Sequence, residues 1–416
     1  MIETRFKKTD IGKIPEDWEV KKLGNISNIK TGPFGSALHA SDYVLEGTPI
    51  ITVEHIGDIH INTNIPIPMI NEQDKERLMP YSLKEGDIVF SRVGSVDRNS
   101  IITVKEEGWL FSGRLLRVRS YNFVNSLYLS YHLSSQQAKK RVISSAVGLA
   151  MPSINTKILS EIDIILPVLR NEQNRIATTL SDIDALLSNL SKKIEKKRLI
   201  RQGIMQQLLT GEKRLEGFNK PWIEKRLGDM STMNSGGTPS SRVQAFYNGG
   251  IPFLSISDMT AQGKYIYSTE KKISELGLIN SSARIVNKGT ILYAMYASLG
   301  KCSISAIRMA ISQAVLGINV NTAILDNAFL YYYLSFIENK VVAMGQTGTQ
   351  SNLSKELVQN FVLKIPVDLT EQIAIATILS DVDAEIETLE TKRSKYEQVK
   401  QGMMQQLLTG KIRLID

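Results

Sequence analysis

The chain carries one cysteine, Cys302, in 416 residues. No internal disulfide framework is therefore available, and a reducing, cytoplasmic setting is expected. Histidine is almost as scarce: His39, His55, His60 and His132 all fall in the first half. His55 and His60 with one distant cysteine do not make a zinc pattern, which leaves structural or surface roles for them. No two prolines are adjacent, so the Asn/Asp-Pro-Pro-aromatic motif of amino methyltransferases is excluded. Gly300-Lys301 is followed by Cys302, and Met295 stands where a P-loop needs its first glycine, which argues against a nucleotide site. No window approaches the roughly 20 apolar residues needed to cross a bilayer, and the N-terminal MIETRFKKTDIGKIPEDW lacks the apolar stretch of a signal peptide. The expectation is a protein with no membrane span, metal or cofactor, whose chemistry is done by partners.

What is present is an ordinary folded composition, 42% hydrophobic and 22% charged, over a length that exceeds one hydrophobic core. Two or more domains are expected. The formal net charge of +8 favours a polyanionic partner.

The chain is also written twice. Glu172 to Ala185 (EQNRIATTLSDIDA) returns as Glu371 to Ala384 (EQIAIATILSDVDA), and Gln202 to Gly211 (QGIMQQLLTG) returns as Gln401 to Gly410 (QGMMQQLLTG), both at a spacing of 199. Trp18, Leu23, Gly24 and Gly32 return as Trp222, Leu227, Gly228 and Gly236 at 204, and Gly86 to Ile101 returns as Gly289 to Ile304 at 203. The framework is shared, whereas the polar content of the loops is not.

Each half opens with short β-rich runs separated by Gly, Asn, Asp and Pro clusters: Thr48 to Val53, Asp87 to Phe90, Ser100 to Val104 and Leu115 to Val118, then Ile251 to Ile256, Thr290 to Tyr293 and Cys302 to Ile307. A helix follows in each, near Ser126 to Ser144 and Ala328 to Val342. The expected fold class is α+β, with two pseudo-repeated mixed domains (1–167 and 212–366), each followed by a long helix (168–211 and 367–416).

The long segments carry a helical seam. Ile176, Leu180, Ile183, Leu187 and Leu190 step by 4 and 3, as do Ile375, Leu379, Val382, Ile386 and Leu389. A seam of this period wants another helix against it, and two such segments in one chain predict an antiparallel coiled coil with a domain at either end. Asn171 and Thr370 are the expected N-caps, and Gly211 and Gly410 the C′ glycines. Gly203 and Gly402 lie inside the helices at the same place in both copies, where glycine costs about 1 kcal/mol. They predict a close helix crossing or a partner contact. Asp182 and Asp184, repeated as Asp381 and Asp383, read as solvated carboxylates rather than as a metal or acid–base site.

At about 1.5 Å per residue, a 40-residue helix spans roughly 60 Å, against about 34 Å for one turn of DNA. Helix length would thus serve as a ruler between two DNA sites. Arg92, Arg98, Asn99, Arg114, Arg117 and Arg119 cluster in turns and short strands of the first domain, and arginine can bridge guanine O6 and N7 or clamp a phosphate. The second domain offers Arg242, Lys264 and Lys301, together with Gln346, Thr347, Gln350 and Asn352 in a polar loop whose counterpart, Ser144 to Asn155, is apolar. The basic run Lys192, Lys193, Lys196, Lys197, Arg198 and Arg201 reads more simply as a solvated helix face than as a phosphate contact.

Two variable domains alternating with two near-identical helices that carry EQ-x2-IA-x2-LSD-x-DA and QG-x-MQQLLTG resemble the specificity subunit of type I restriction-modification enzymes. The resemblance covers essentially the whole chain. It implies that the two domains are target recognition domains reading a bipartite sequence in double-stranded DNA. It also implies that the helices set the spacer and help dock two modification subunits, which carry S-adenosylmethionine and methylate adenine N6. A restriction subunit that translocates DNA with ATP is an optional further partner. The rival readings are a scaffold or decoy that occupies the modification subunits without reading DNA, and a self-contained DNA-modifying enzyme. The basic charge argues against the first, and the missing catalytic motifs against the second.

Overall fold

The computed structural model describes residues 5–33, 38–148, 151–347 and 352–415. The chain divides into two compact units, Met1–Ser191 with Thr391–Asp416, and Lys192–Glu390.

In the first unit, Ile88–Ser91 is buried along its whole length, because alternate side chains feed two cores. Ile88 and Phe90 join one cluster with Leu116, Val118, Tyr128 and Leu129, and Val89 joins another with Ile51, Phe111 and Leu115. This strand sits at the centre of a five-stranded sheet ordered Ser27–Thr31, Leu115–Ser120, Ile88–Ser91, Asn99–Ile101 and Ile59–His60. The pairs are antiparallel except the last, which is parallel. Asp163–Pro167 returns to pair with Trp18–Lys22 and delivers the chain into the first long helix.

The second unit repeats this plan: Ser231–Ser235, Val315–Val320, Ile291–Ala294, Cys302–Ser305 and Tyr265–Ile266, with Val362–Pro366 against Trp222–Arg226. Its covering sheet has four strands where the first unit has three. Gly32 and Gly236 occupy matching strand ends, where a Cβ would lie 2.1 Å from the Ser112 carbonyl and 1.8 Å from that of Ile311. Only glycine lets the backbones pass this closely, which accounts for the repeat at these positions.

The long helices are Arg170–Leu209 and Leu369–Leu407. They pack antiparallel. In the first unit Ile176, Ala177 and Leu180 share a core with Leu407 and Leu408; in the second, Met205, Leu208 and Leu209 share one with Ile375, Ala376 and Leu379. Ile183, Leu190 and Ile386 are buried as well, and Leu187, Val382 and Leu389 are half-buried. Gly211 and Gly410 end the helices with φ of +72° and +70°.

Several expectations need correction. The helix near Ser126 is two helices, Ser126–Ser134 and Gln136–Ser145, because Ser135 turns extended and caps the second through the Ala138 N–H. Asn171 and Thr370 lie inside the long helices, and Asp368 caps the second by accepting from the Thr370 N–H at 3.0 Å. A Cβ at Gly203 or Gly402 would meet nothing within 4 Å, so neither glycine marks a close helix crossing.

The repeated Glu-Gln pair is buried in both copies. Gln173 donates to the Pro167 carbonyl at 2.8 Å and accepts from the Asn125 N–H at 2.8 Å. Gln372 donates to Pro366 at 2.9 Å and accepts from the Asp326 N–H at 2.9 Å. One amide thus ties the entry strand, the domain helix and the long helix together. The motif is repeated because this junction is.

Asp184 and Asp383 belong to the same junctions, contrary to the solvated reading, whereas Asp182 and Asp381 are exposed. Tyr131 donates to Asp184 at 2.6 Å, and Lys400 pairs with the same carboxylate at 2.7 Å and with Asp58. Tyr332 donates to Asp383 at 2.7 Å, and Arg201 pairs with it from the other helix. Lys197 and Arg198 of the basic run are likewise paired, with Glu385 and Glu390.

Candidate nucleic-acid interface

The strand ends of each unit bring several loops to one edge. In the first unit the Ile154 N–H donates to the Arg92 carbonyl at 3.0 Å, the Arg92 N–H to the Arg114 carbonyl at 3.1 Å, and the Gly32 N–H to the Leu115 carbonyl at 3.1 Å. Arg92 crosses these loops, donating from Nε to the Ile154 carbonyl at 3.2 Å and from Nη1 to the Gly113 carbonyl at 3.3 Å. Arg114 projects beside it, exposed. Tyr43 stands on the same edge, its hydroxyl pushed up by burial and by the Asp42 carboxylate, with Arg114 opposing. At neutral pH it is an un-ionised donor.

The second unit builds the corresponding edge. The Leu353 N–H donates to the Met295 carbonyl at 2.9 Å, and the Met295 N–H to the Ala314 carbonyl at 2.9 Å. Thr238 donates to the Gln313 side chain at 2.7 Å, and both are exposed. Tyr296, the residue after Met295, is 39% exposed. Arginine and tyrosine line the first edge, and amide and hydroxyl groups line the second.

The sequence candidates divide sharply against this frame. Arg92, Arg114, Arg242 and Asn352 lie on the edges or on loops that lead to them, the last three exposed. Arg98 is turned inward onto the Ile56 carbonyl. Asn99 is buried, donating to Ser134 at 2.9 Å and accepting from Ser130 at 2.8 Å. Arg117 is 6% exposed and donates to Asn28 at 2.7 Å. Burial and the neighbouring Arg119 lower its pKa. Arg119 itself clamps Asp87 through two bonds of 2.6 Å. These four hold the sheet together and do not reach the edge.

Lys264 is also drawn inward, donating to Tyr332 and Ser380 at 2.7 Å each and lying 4.5 Å over the Tyr332 ring. Burial lowers its pKa. Lys301 is half-buried at the foot of the second edge and counters the burial that raises Glu338. Gln346 and Thr347 end the helix Asn327–Thr347, and their side chains, like all of Gln350, lie outside the described residues.

Thr238, Gln313, Tyr43 and Tyr296 were not among the sequence candidates. Ser112-Gly113-Arg114 aligns with Ser312-Gln313-Ala314 at a spacing of 200, and carrying the repeat that far places Gln313 opposite Gly113. Among the described residues no cluster of three or more His, Cys, Asp or Glu side chains could hold a metal. Among them, too, no helix is long and apolar enough to cross a membrane.

The family model for the type I restriction modification DNA specificity domain matches residues 15–197 and again 219–398. The chain belongs to this family. Type I specificity subunits of Methanocaldococcus jannaschii are similar over much of their length: a putative MjaX specificity subunit is 31% identical over 99% of this chain and 97% of its own. An MjaIX specificity subunit is 23% identical over 88% and 86%. Among solved structures, the type I S subunit of M. genitalium superposes with a TM-score of 0.61 at 17% identity, covering 94% of this chain and 96% of that one. As a type I specificity subunit, the protein confers DNA sequence specificity and is not itself the catalyst.

Proposed function

We propose that the subunit reads a bipartite DNA target, one half-site at each loop edge, and directs partner subunits to methylate adenine N6 between or within the halves. The recognition domains are residues 1–167 and 212–366, and the spacer helices 168–211 and 367–416. The observation that carries this reading is the contrast between the edges: Arg92, Arg114 and Tyr43 on one, Thr238, Gln313 and Tyr296 on the other, over matching frames. Arginine pairs with guanine or phosphate, whereas glutamine pairs with adenine, so unlike edges select unlike half-sites. Arg242 and Asn352 extend the second edge.

The same reading assigns a docking face for two modification subunits. Ile200, Gly203 and Gln206 are exposed one turn apart on the first helix, and Val399, Gly402 and Gln405 repeat them on the second. Each glycine has open space where its side chain would be. An apolar residue beside bare helix backbone suits close approach by another chain, and two equal faces suit two copies of one partner. The double-stranded DNA and the restriction subunit follow from the same family reading; a solved type I relative is described in terms of complex assembly. ATP-dependent cleavage would belong to that restriction partner.

The test is duplex binding at several salt concentrations. Arg114→Ala should weaken binding and lower the slope of log K against log salt by about 1 if it meets a phosphate, or cost about 1–3 kcal/mol at one base pair if it meets a guanine. Binding indifferent to Arg114 on both measures would remove the first edge from the interface.

A further inference from the structure

Each unit contains a buried carboxylate latch at the root of its long helix. In the first unit Glu172, 2% exposed, accepts from the Trp18 indole Nε1 at 3.0 Å and from Arg413 Nε and Nη2 at 2.6 and 2.9 Å. Arg413 also grips Asp17 through bonds of 2.9 and 2.6 Å and lies 5.4 Å from the Trp18 ring. In the second unit Glu371, fully buried, accepts from Arg214 at 2.7 and 2.8 Å and from the Trp222 indole at 3.3 Å. The two arginines are 199 residues apart, as the helices are.

The latch joins three pieces that must agree for a domain to point one way: the domain's entry strand, the first turn of one long helix, and the segment beyond the other. Its geometry is strict. A forked guanidinium meeting both oxygens of a carboxylate fixes direction as well as distance. With one carboxylate oxygen also held by an indole, the group has few other arrangements. Removing one partner of such a buried pair leaves the other charged and uncompensated, which disrupts far more than the pair's net contribution.

The two latches differ in how they are reached. Arg214 precedes Trp222 by a short stretch of the same loop, so covalent connection keeps the parts near each other. Arg413 meets Asp17 across a sequence separation of 396 residues. Here the non-covalent bonds alone close the ring, and the first unit gives Arg413 a second carboxylate, Asp17, that Arg214 lacks: the position matching Asp17 is Pro221. Arg413 holds the Asp17 carboxyl below the usual aspartate range.

We propose that Arg413 and Glu172 are positioning residues for the first half-site, and Arg214 and Glu371 for the second: each latch fixes the seat of its own recognition domain on the helix pair, and so the placement of its loop edge on DNA. This rests on the reading that each edge reads one half-site. A misplacement of about 1 Å far from the chemistry can cost on the order of 100-fold in rate.

The experiment maps methylated adenines in a randomised duplex library treated with the assembled specificity and modification subunits, using wild type, Arg413→Met, Arg413→Lys and Arg214→Met, with thermal melting of each sample. Arg413→Met is expected to cut methylation of sites matching the half-site that responds to Arg114→Ala by roughly tenfold or more, leaving the other half-site's preference intact. Arg214→Met is expected to do the reverse, and Arg413→Lys to recover part of the loss. Equal loss at both half-sites, or a lowered melting temperature with unchanged site preference, would overturn the proposal. Should Arg413→Met fail to fold, Trp18→Phe removes the indole donor and part of a buried ring while keeping the Arg413–Glu172 pair, and is expected to shift the same half-site by a smaller factor; an unshifted half-site in that variant counts against the latch. A wild-type site that is not bipartite would fail the underlying reading first, and the latch with it.

Discussion

Tyr131 donates to Asp184 at 2.6 Å, and the pair returns in the second unit as Tyr332 and Asp383 at 2.7 Å. In each, a cation from the opposite long helix completes the cluster: Lys400 for Asp184, Arg201 for Asp383. The aspartates therefore bind a recognition domain to both helices at once, while Asp182 and Asp381, two residues earlier, face solvent.

That difference between neighbours is measurable. Asp184→Asn should destabilise the protein by about 1–3 kcal/mol, since it weakens charge-assisted bonds to Tyr131 and Lys400, whereas Asp182→Asn should stay within about 0.5 kcal/mol of wild type. Urea unfolding compares the two. Equal midpoints would return Asp184 to the status of a surface carboxylate.

Much of this frame was legible from the repeats, because a junction built twice leaves the same residues twice: Trp18 and Trp222, Glu172 and Glu371, Gly32 and Gly236. Less legible were the roles of single polar residues inside it. Arg119 looks like a surface cation in sequence, yet its partner Asp87 lies 32 residues away, and Asn28, the partner of Arg117, lies 89 away. Lys264 is hidden by aromatic residues from a helix near position 332 and by Ser380. Local composition cannot report pairings made by the sheet. The proposed reading edges are half legible for the same reason: Arg92 and Arg114 stand out by type, while Thr238 and Gln313 come to the second edge only through where the strands end.

Acid sensitivity should carry the mark of His132. Its Nε2 accepts from the Ile165 N–H at 3.1 Å, and burial, with Arg141 adding to it, pulls its pKa down to about 3. Folding therefore keeps the ring neutral, while the unfolded chain takes up a proton below the usual histidine value of about 6.5. The contribution to stability is complete above that value and is lost as pH falls towards 3, at up to about 1.4 kcal/mol per pH unit. Between pH 6.5 and 5 wild type should lose roughly 1.7 kcal/mol more than His132→Gln. Parallel pH slopes in urea unfolding would contradict this.

Helix length should set the gap between half-sites. Removing one heptad from each long helix, residues 189–195 and 389–395, keeps the seam in phase and takes away roughly 10 Å of rise, the length of about three base pairs. The preferred spacer is expected to shorten while both half-sites stay unchanged, as read from methylation of a library with graded spacers. An unaltered spacer preference would show that the helices are not the ruler.

Unlike loop edges on like frames are expected to read unlike half-sites. The consensus methylated by the assembled complex checks this when Gln313, on the second edge and hydrogen-bonded to Thr238 at 2.7 Å, is changed to alanine. One half-site is expected to relax at one or two base pairs, at a cost of about 1–3 kcal/mol in discrimination, with the other half-site untouched. A consensus unchanged in both halves, or degraded equally in both, would contradict it.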